Sequence, residues 1–307
     1  GRRAVSGRDP ATDPRAQLGA VRRLLEEAGV PSPEADARAL LAHALGSTRL
    51  PYPLPAALSA DQVGRLATAV DRRVRREPLQ HIVGTAAFRH LTLVVEPGVF
   101  VPRPETEQVA QHAVDEAAAV AEDRVPVVVD LCCGAGAIAV AVATEVPSAA
   151  VVAVDLSPAA VALTRRNAAA AGTGLRVEHG DVRDPGLLGD LAARVDVVVS
   201  NPPYIPPDQV PVDPEVREHD PDLALYGGGA DGLDTPRAVV ARAADLLRPG
   251  GLLVMERSDL QGAAVRDVVL ADGGFADVRT GRDLSGRDRM VVARRTASVP
   301  GPASRRP

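Results

Sequence analysis

Residues 125–143 read Val125-Pro-Val-Val-Val-Asp-Leu131, then Cys132-Cys133-Gly134-Ala135-Gly136, then Ala137-Ile-Ala-Val-Ala-Val-Ala143. An apolar run meets a glycine turn, and a run of small apolar residues starts at once. A strand with one wet face alternates apolar and polar side chains. An unbroken apolar run needs both faces covered, as in a parallel sheet packed between helices. Glycines in the turn let the chain reverse sharply and let a ligand approach the backbone with no Cβ in the way.

The same unit recurs downstream. A helical pattern over 106–121 precedes this strand, and further strands are predicted at 150–154, 175–178, 195–199, 251–256, 276–280 and 289–293, mostly with helical segments between them. The last two are joined by Asp283-Leu-Ser-Gly-Arg-Asp288, a short polar connection suited to an antiparallel hairpin. The expected fold is α/β: a doubly wound, mostly parallel seven-stranded sheet with a C-terminal antiparallel hairpin. That is the arrangement of the class I, Rossmann-like methyltransferases.

Upstream the pattern is helical. Leu18, Val21, Leu24 and Leu25 recur at helical spacing, followed by Ala37, Leu40, Leu41, Ala44 and Leu45. Ser59 is placed to cap a third helix carrying Val63, Leu66 and Val70. The expected organisation is a loose tail at 1–14, a helical domain over 15–76, a linker over 77–104, a catalytic domain over 105–295 and a second loose tail at 296–307. Ile82-Val83-Gly84 and Leu91-Thr-Leu-Val-Val95 predict that the linker is a two-stranded hairpin.

Composition narrows the class. The net charge of −5 argues against a protein that coats nucleic acid. Residues 1–80 carry 13 arginines and nine acidic residues, a surplus of +4 against −9 for the remainder, which weakly favours an acidic partner for the front end. The two cysteines are adjacent and cannot form an ordinary disulfide. A reducing, cytoplasmic setting is expected. No apolar run approaches the roughly 18 residues of a membrane helix. His112, His179 and His219 are scattered, so no metal site is expected.

The turn at Cys132, Cys133, Gly134, Ala135 and Gly136 is the first candidate site. The second strand ends at Asp155, where a carboxylate is placed to accept both ribose hydroxyls of an adenosine, and Ser157-Pro158 caps and opens the next helix. These residues alone leave two readings open. Gly134-Ala-Gly136-Ala-Ile-Ala139 also satisfies the dinucleotide pattern, with an acidic residue about 20 positions on. Asp181, after the third strand, shifts the balance toward S-adenosylmethionine, since this position flanks the adenine in methyltransferases.

The decisive segment follows the fourth strand: Asn201-Pro202-Pro203-Tyr204. In an open parallel sheet this loop faces the crevice beyond the carboxyl ends of the strands. A planar NH2 nitrogen is a poor nucleophile, and its methylation needs acceptors that grip both N–H bonds. Asn201 offers a side-chain carbonyl, Pro202 a backbone carbonyl stiffened by the two prolines, and Tyr204 an aromatic face for a flat group. The bland alternative is a proline-rich turn, because Asn-Pro commonly starts one.

The chain resembles the protein-(glutamine-N5) methyltransferases of the PrmC/HemK type, which modify peptide-chain release factors. The resemblance covers residues 15–295 and rests on Glu77-Pro-Leu-Gln-His-Ile-Val-Gly84, Val101-Pro-Arg-Pro-Glu-Thr-Glu107, Asp130 to Ala143, Asn201 to Pro206, Asp222-Leu-Ala-Leu-Tyr226 with Asp231-Gly-Leu233, Leu247-Arg-Pro-Gly-Gly251, and Asp283-Leu-Ser-Gly-Arg-Asp-Arg289. It implies S-adenosylmethionine contacts from Cys132 to Gly136, Asp155, Asp181, Val182 and Asn201. It also implies that Asn201, Pro202, Pro203 and Tyr204 hold the glutamine of a class 1 release factor's Gly-Gly-Gln motif. Cys132 and Cys133 depart from the usual Gly-Thr or Cys-Thr, Ala135 from Ser or Thr, and Val182 from an aromatic.

The nearest rival is an amino-methyltransferase acting on a nucleic-acid base, adenine N6 or guanine N2, which shares Asn-Pro-Pro-Tyr. It predicts an added basic domain, whereas Arg72-Arg-Val-Arg-Arg76 is the one basic cluster here. A nicotinamide dehydrogenase gives no reason for Asn-Pro-Pro-Tyr. Gly227-Gly-Gly229 is expected to be a mobile loop able to close on a substrate peptide, with an ordinary surface turn as the alternative.

Overall fold

A computed structural model describes residues 9–297. In chain order its elements are α1 (Pro14–Glu27), α2 (Pro33–Ala44), α3 (Ala60–Val74), α4 (Leu79–Val83), β1 (Thr85–Phe88), β2 (Leu91–Val94), α5 (Thr106–Ala121), β3 (Val127–Leu131), α6 (Ala137–Glu145), β4 (Ala150–Asp155) and α7 (Pro158–Ala170). They continue with β5 (Arg176–His179), β6 (Val195–Ser200), α8 (Pro214–His219), α9 (Asp222–Leu225), α10 (Asp234–Leu246), β7 (Leu247–Glu256), α11 (Gly262–Asp272), β8 (Phe275–Arg282) and β9 (Asp288–Arg295). Within the described residues two compact units result: the chain up to 85 with 212–219, and 86–211 with the chain from 220 onward.

The first unit is helical. Leu25, Leu40, Leu41 and Leu66 are fully buried in its core, on the faces their helical spacing dictates. Ser59 caps α3 in a reciprocal box: its hydroxyl accepts from Gln62 N, and Gln62 Oε1 accepts from Ser59 N. The segment 212–219, which carries α8, belongs to this unit although it follows the Asn201–Tyr204 loop in sequence. Arg73 donates to Asp36 Oδ2 at 2.7 Å and to Glu215 Oε1 at 2.8 Å, and Arg76 Nε donates to the same Glu215 oxygen at 3.0 Å.

The second unit is a seven-stranded sheet in the order β5-β4-β3-β6-β7-β9-β8. The pairings from β5 through β7 are parallel, and β9 runs antiparallel to both β7 and β8. The apolar strands serve two cores at once. Val128, Val197, Val199 and Val254 face the α5–α6 side, whereas Val129, Val198, Leu253 and Met255 face α10 and α11. That division is why no polar alternation survives in these strands. The chain leaves β3 through β4 to β5, then returns to β6 on the other side of β3. The switch in direction opens a crevice beyond the carboxyl ends of β3 and β6.

Three expectations need correction. Ile82 and Val83 lie in α4, not in a strand. Pro78 precedes this short helix and Gly84, at φ +77°, closes it; the hairpin is instead β1–β2, two four-residue strands joined by Arg89 and His90. The loose tail expected at 1–14 is ordered from Asp9: a turn leads to Asp13, which caps α1, and Leu58 N donates to Thr12 O. Residues 1–8, and 298–307 of the second tail, lie outside the described residues, while Thr296 N donates to Gly274 O. Among the described residues no helix is long and apolar enough to cross a membrane.

Candidate active site

The turn after β3 is built from left-handed backbone. Cys132 (φ +61°), Gly134 (φ +56°) and Gly136 (φ +80°) all occupy that region. A Cβ on Gly136 would lie 2.7 Å from Thr164 Cγ2, whereas one on Gly134 would meet nothing within 4 Å. Gly136 is therefore required by packing on α7, and Gly134 faces open space into which a ligand can come. Two side chains of α7 fix the turn from behind: Thr164 Oγ1 donates to Gly134 O at 2.9 Å, and Asn167 Nδ2 donates to Ala135 O at 2.9 Å.

Asp155, at the end of β4, accepts from Gly134 N and from Ser157 N, each at 2.8 Å. Burial raises its carboxyl above the ordinary range, and those two N–H groups oppose the rise. Each oxygen keeps lone-pair capacity for a hydroxyl. Asp130 is fully buried beneath the turn. Its Oδ2 accepts from Ala139 N at 3.1 Å, its Oδ1 has no partner, and burial pushes the carboxyl up to about 8. An open glycine face, a carboxylate at its rim and an unpartnered buried oxygen below it fit a cationic nucleoside such as S-adenosylmethionine. Burial also raises the Cys132 and Cys133 thiols well above their ordinary values, which keeps them protonated and unreactive.

Asp181 follows β5 but is not open. Arg183 grips it through Nη2 at 2.7 Å and Nε at 2.9 Å, which lowers its carboxyl below the usual range. Val182 is buried in the α10–α11 core.

Asn201 to Tyr204 follow β6 directly. Asn201 Nδ2 donates to Thr106 Oγ1 at 3.4 Å, and Thr106 Oγ1 donates to Glu256 Oε2 at 2.7 Å. Among the described residues no donor is paired with Asn201 Oδ1 or with the Pro202 carbonyl. Gln261 Nε2 donates to Tyr204 O at 2.8 Å. Burial and Glu256 push the Tyr204 hydroxyl well up, while its hydrogen bond with Arg289 works against them.

The loop is braced from below by the glycine run that had been expected to move. Ile205 pairs with Tyr226: Ile205 N donates to Leu225 O, and Gly227 N donates to Ile205 O. A Cβ on Gly227 would collide with the Gly232 and Pro203 carbonyl oxygens. Gly227 is thus a buried, packed support that answers to crowding, whereas Gly228 (φ +80°) and Gly229 (φ +68°) form an exposed turn in left-handed backbone. Sequence reasoning missed Glu256, Arg289 and Gln261. Their one legible signal is Glu256, a charge ending the apolar run Leu252–Met255 at the crevice side of the sheet.

A doubly wound sheet with a glycine turn after its first strand and Asn-Pro-Pro-Tyr after its fourth defines a class I methyltransferase that uses S-adenosylmethionine. The family description "PrmC N-terminal domain" matches residues 18–84, and "Methyltransferase small domain" matches 91–213. The release factor glutamine methyltransferase of Mycolicibacterium smegmatis is 46% identical over 288 residues, spanning 92% of this chain and 98% of that protein. The protein so named in Streptomyces coelicolor is 47% identical over 282 residues, spanning 91% and 97%. This chain belongs to the release factor glutamine methyltransferase family. The crystal structure of a methyltransferase from Pyrococcus furiosus shares the fold, at a TM-score of 0.50 and 16% identity over 68% of this chain and 91% of that one.

Proposed function

We propose that this enzyme methylates the side-chain amide nitrogen, N5, of the glutamine in the Gly-Gly-Gln motif of class 1 peptide-chain release factors. The observation that carries the reading is the pair of uncommitted acceptors, Asn201 Oδ1 and the Pro202 carbonyl, at the crevice end of β6. An amide nitrogen has a delocalised lone pair. Two acceptors that hold both N–H bonds localise that lone pair and aim it. S-adenosylmethionine supplies an electrophilic methyl carbon on a sulfonium, so no strong base is needed to start the transfer. Asn201, Pro202 and Pro203 orient the amide, and Tyr204 lays its ring against it. The nitrogen becomes acidic as the methyl arrives, and its proton leaves along an N–H bond already given to an acceptor.

The backbone from Cys132 to Gly136 holds the amino-acid end of the donor, with Asp130 beneath it. Asp155 receives the ribose hydroxyls, and Asp181 and Val182 flank the adenine once Arg183 releases Asp181. Residues 15–76 read the protein substrate, 77–104 link them to the catalytic domain over 105–295, and the enzyme works in the cytoplasm on a protein, with no direct grip on nucleic acid or membrane.

Mass spectrometry of release factors incubated with this enzyme and labelled donor tests the reading. One methyl group on the Gly-Gly-Gln glutamine is expected, and none when that residue is replaced. Robust methylation of bare DNA or RNA instead would assign the enzyme to nucleic-acid bases.

A further inference from the structure

Thr106 joins two elements that meet only in the folded chain. It opens α5, is buried, and gives its hydroxyl proton to Glu256 Oε2 at the end of β7, at 2.7 Å. Asn201 Nδ2 approaches the same hydroxyl oxygen at 3.4 Å. A hydroxyl has one proton. Once that proton goes to a carboxylate, which can only accept, lone pairs alone face Asn201. Lone pairs attract the NH2 end of an amide and repel its carbonyl, so Oδ1 turns away from Thr106. We propose that Thr106 and Glu256 are positioning residues that set the polarity of the Asn201 amide, presenting Oδ1 rather than Nδ2 to the substrate nitrogen. The proposal rests on the reading of Asn201 as the amide's acceptor.

This polarity lasts only while Glu256 is ionised. The groups that face Glu256 are the Thr106 hydroxyl from α5, Arg103 and Glu105 just before it, Arg289 from β9, and Tyr204 from the loop after β6. Burial and Glu105 oppose ionisation, whereas Thr106, Arg289 and Arg103 favour it, and the carboxyl sits at about 7. A protonated Glu256 donates to Thr106 and frees the Thr106 proton for Asn201 Oδ1. The amide then swaps ends, and its NH2 meets the substrate's N–H donor to donor. Turnover is therefore lost as pH falls through the titration of Glu256. Cofactor binding, which does not depend on which end of the amide faces the substrate, stays.

The test has two arms. Turnover and cofactor affinity are measured for Thr106→Val, Thr106→Ser and Glu256→Gln between about pH 6 and pH 9. Thr106→Val should lose about tenfold or more in kcat with cofactor affinity nearly unchanged, and Thr106→Ser should recover it. The acid limb of the wild-type profile should be absent from Glu256→Gln whatever its plateau. In the second arm the Asn201 side-chain amide is followed by 15N NMR in the free protein. Its signal should move across the same pH range in the wild type and stay fixed in Glu256→Gln. Wild-type kcat in Thr106→Val, an acid limb retained in Glu256→Gln, or a wild-type Asn201 signal indifferent to pH overturns the proposal. The NMR arm needs no substrate and no Thr106 variant, so it still decides if Thr106→Val does not fold or if release factors prove not to be the substrate.

Discussion

Gly227 stands so close to Pro203 that a Cβ built on it would lie 2.7 Å from the Pro203 carbonyl oxygen, and 1.8 Å from that of Gly232. Both neighbours are backbone, so neither can rotate aside. Gly227→Ala should displace the Asn201–Tyr204 loop or strain its support, at a cost of about 1–3 kcal/mol. Turnover should fall clearly while cofactor affinity stays close to wild type. Steady-state kinetics beside calorimetry separates the two, and an unaltered kcat would show that the loop does not need this brace.

Asp155 both shapes the turn and faces the open side of Gly134. Asp155→Ala removes the acceptor of two backbone N–H groups and the acceptor proposed for the ribose. Cofactor binding should weaken by roughly 1.5–3 kcal/mol, the usual range for hydrogen bonds to a charged group. Titration calorimetry measures this directly. The same titration with NAD should show no specific binding in wild type; tight NAD binding without donor binding would sink the methyltransferase site.

The buried carboxyls give a pH dependence of stability with a definite sign. Burial raises Glu256 and Asp130 on folding to about 7 and about 8, above the ordinary carboxylate values of 4.5 and 3.8. Groups raised on folding contribute stability that is full below their unfolded pKa and lost as pH climbs through the folded one. The melting temperature should therefore decline between about pH 4 and pH 8, and the decline should be shallower in Glu256→Gln. Asp231 and Asp283, lowered to about 2 by Arg237 and by Ser285 respectively, act in the opposite sense: their contribution is lost as pH falls below about 4. Differential scanning calorimetry across this range checks both limbs.

Much of this was legible because it depends on local rules. The cap at Ser59, the Ser157-Pro158 helix start and the unbroken valine strands each follow from residues a few positions apart. The misreadings are of two kinds. Ile82 and Val83 favour strands, and α4 is too short to show a helical period, so only Pro78 and Gly84 mark it. Gly227 looked permissive because glycine serves equally for freedom and for close approach, and the atoms that crowd it lie on Pro203 and Gly232. The Thr106–Glu256 contact spans 150 positions. No periodicity reaches that far, and only the sheet order brings the ends of β6 and β7 beside the start of α5. Asp181 was readable as a position but not as a partner of Arg183 two residues away.

The Arg73 cluster predicts a stability contrast within the helical unit. Arg73 is 3% exposed and holds both Asp36 and Glu215. Removing it leaves the buried Asp36 carboxylate without its cation, while Glu215 keeps Arg76, so Arg73→Met should destabilise the unit by about 3–5 kcal/mol. The exposed Arg75–Asp71 pair offers the control: Asp71→Ala should cost less than about 1 kcal/mol. Chemical denaturation of each variant measures the difference. Equal effects would mean that Arg73 is better hydrated than its burial implies.

Asn201 is the residue on which the proposed chemistry turns. Asn201→Ala removes one of two acceptors while its neighbours Pro202 and Ser200 remain buried in place. Loss of one well-aimed transition-state hydrogen bond costs on the order of a hundredfold in rate, roughly 3 kcal/mol. Cofactor affinity should fall much less, because the proposed contact of this residue is with the methyl end of the donor alone. Asn201→Asp is the sharper variant. Its carboxylate can accept a substrate N–H, but its second oxygen would face Thr106, whose proton already belongs to Glu256. Either Thr106 turns from Glu256 or the new carboxyl takes up a proton. Asn201→Asp should therefore keep some activity yet stay well below wild type, with a pH profile unlike it. Single-turnover methylation of a release factor by both variants measures this. Full activity in Asn201→Ala would remove the residue from the reaction.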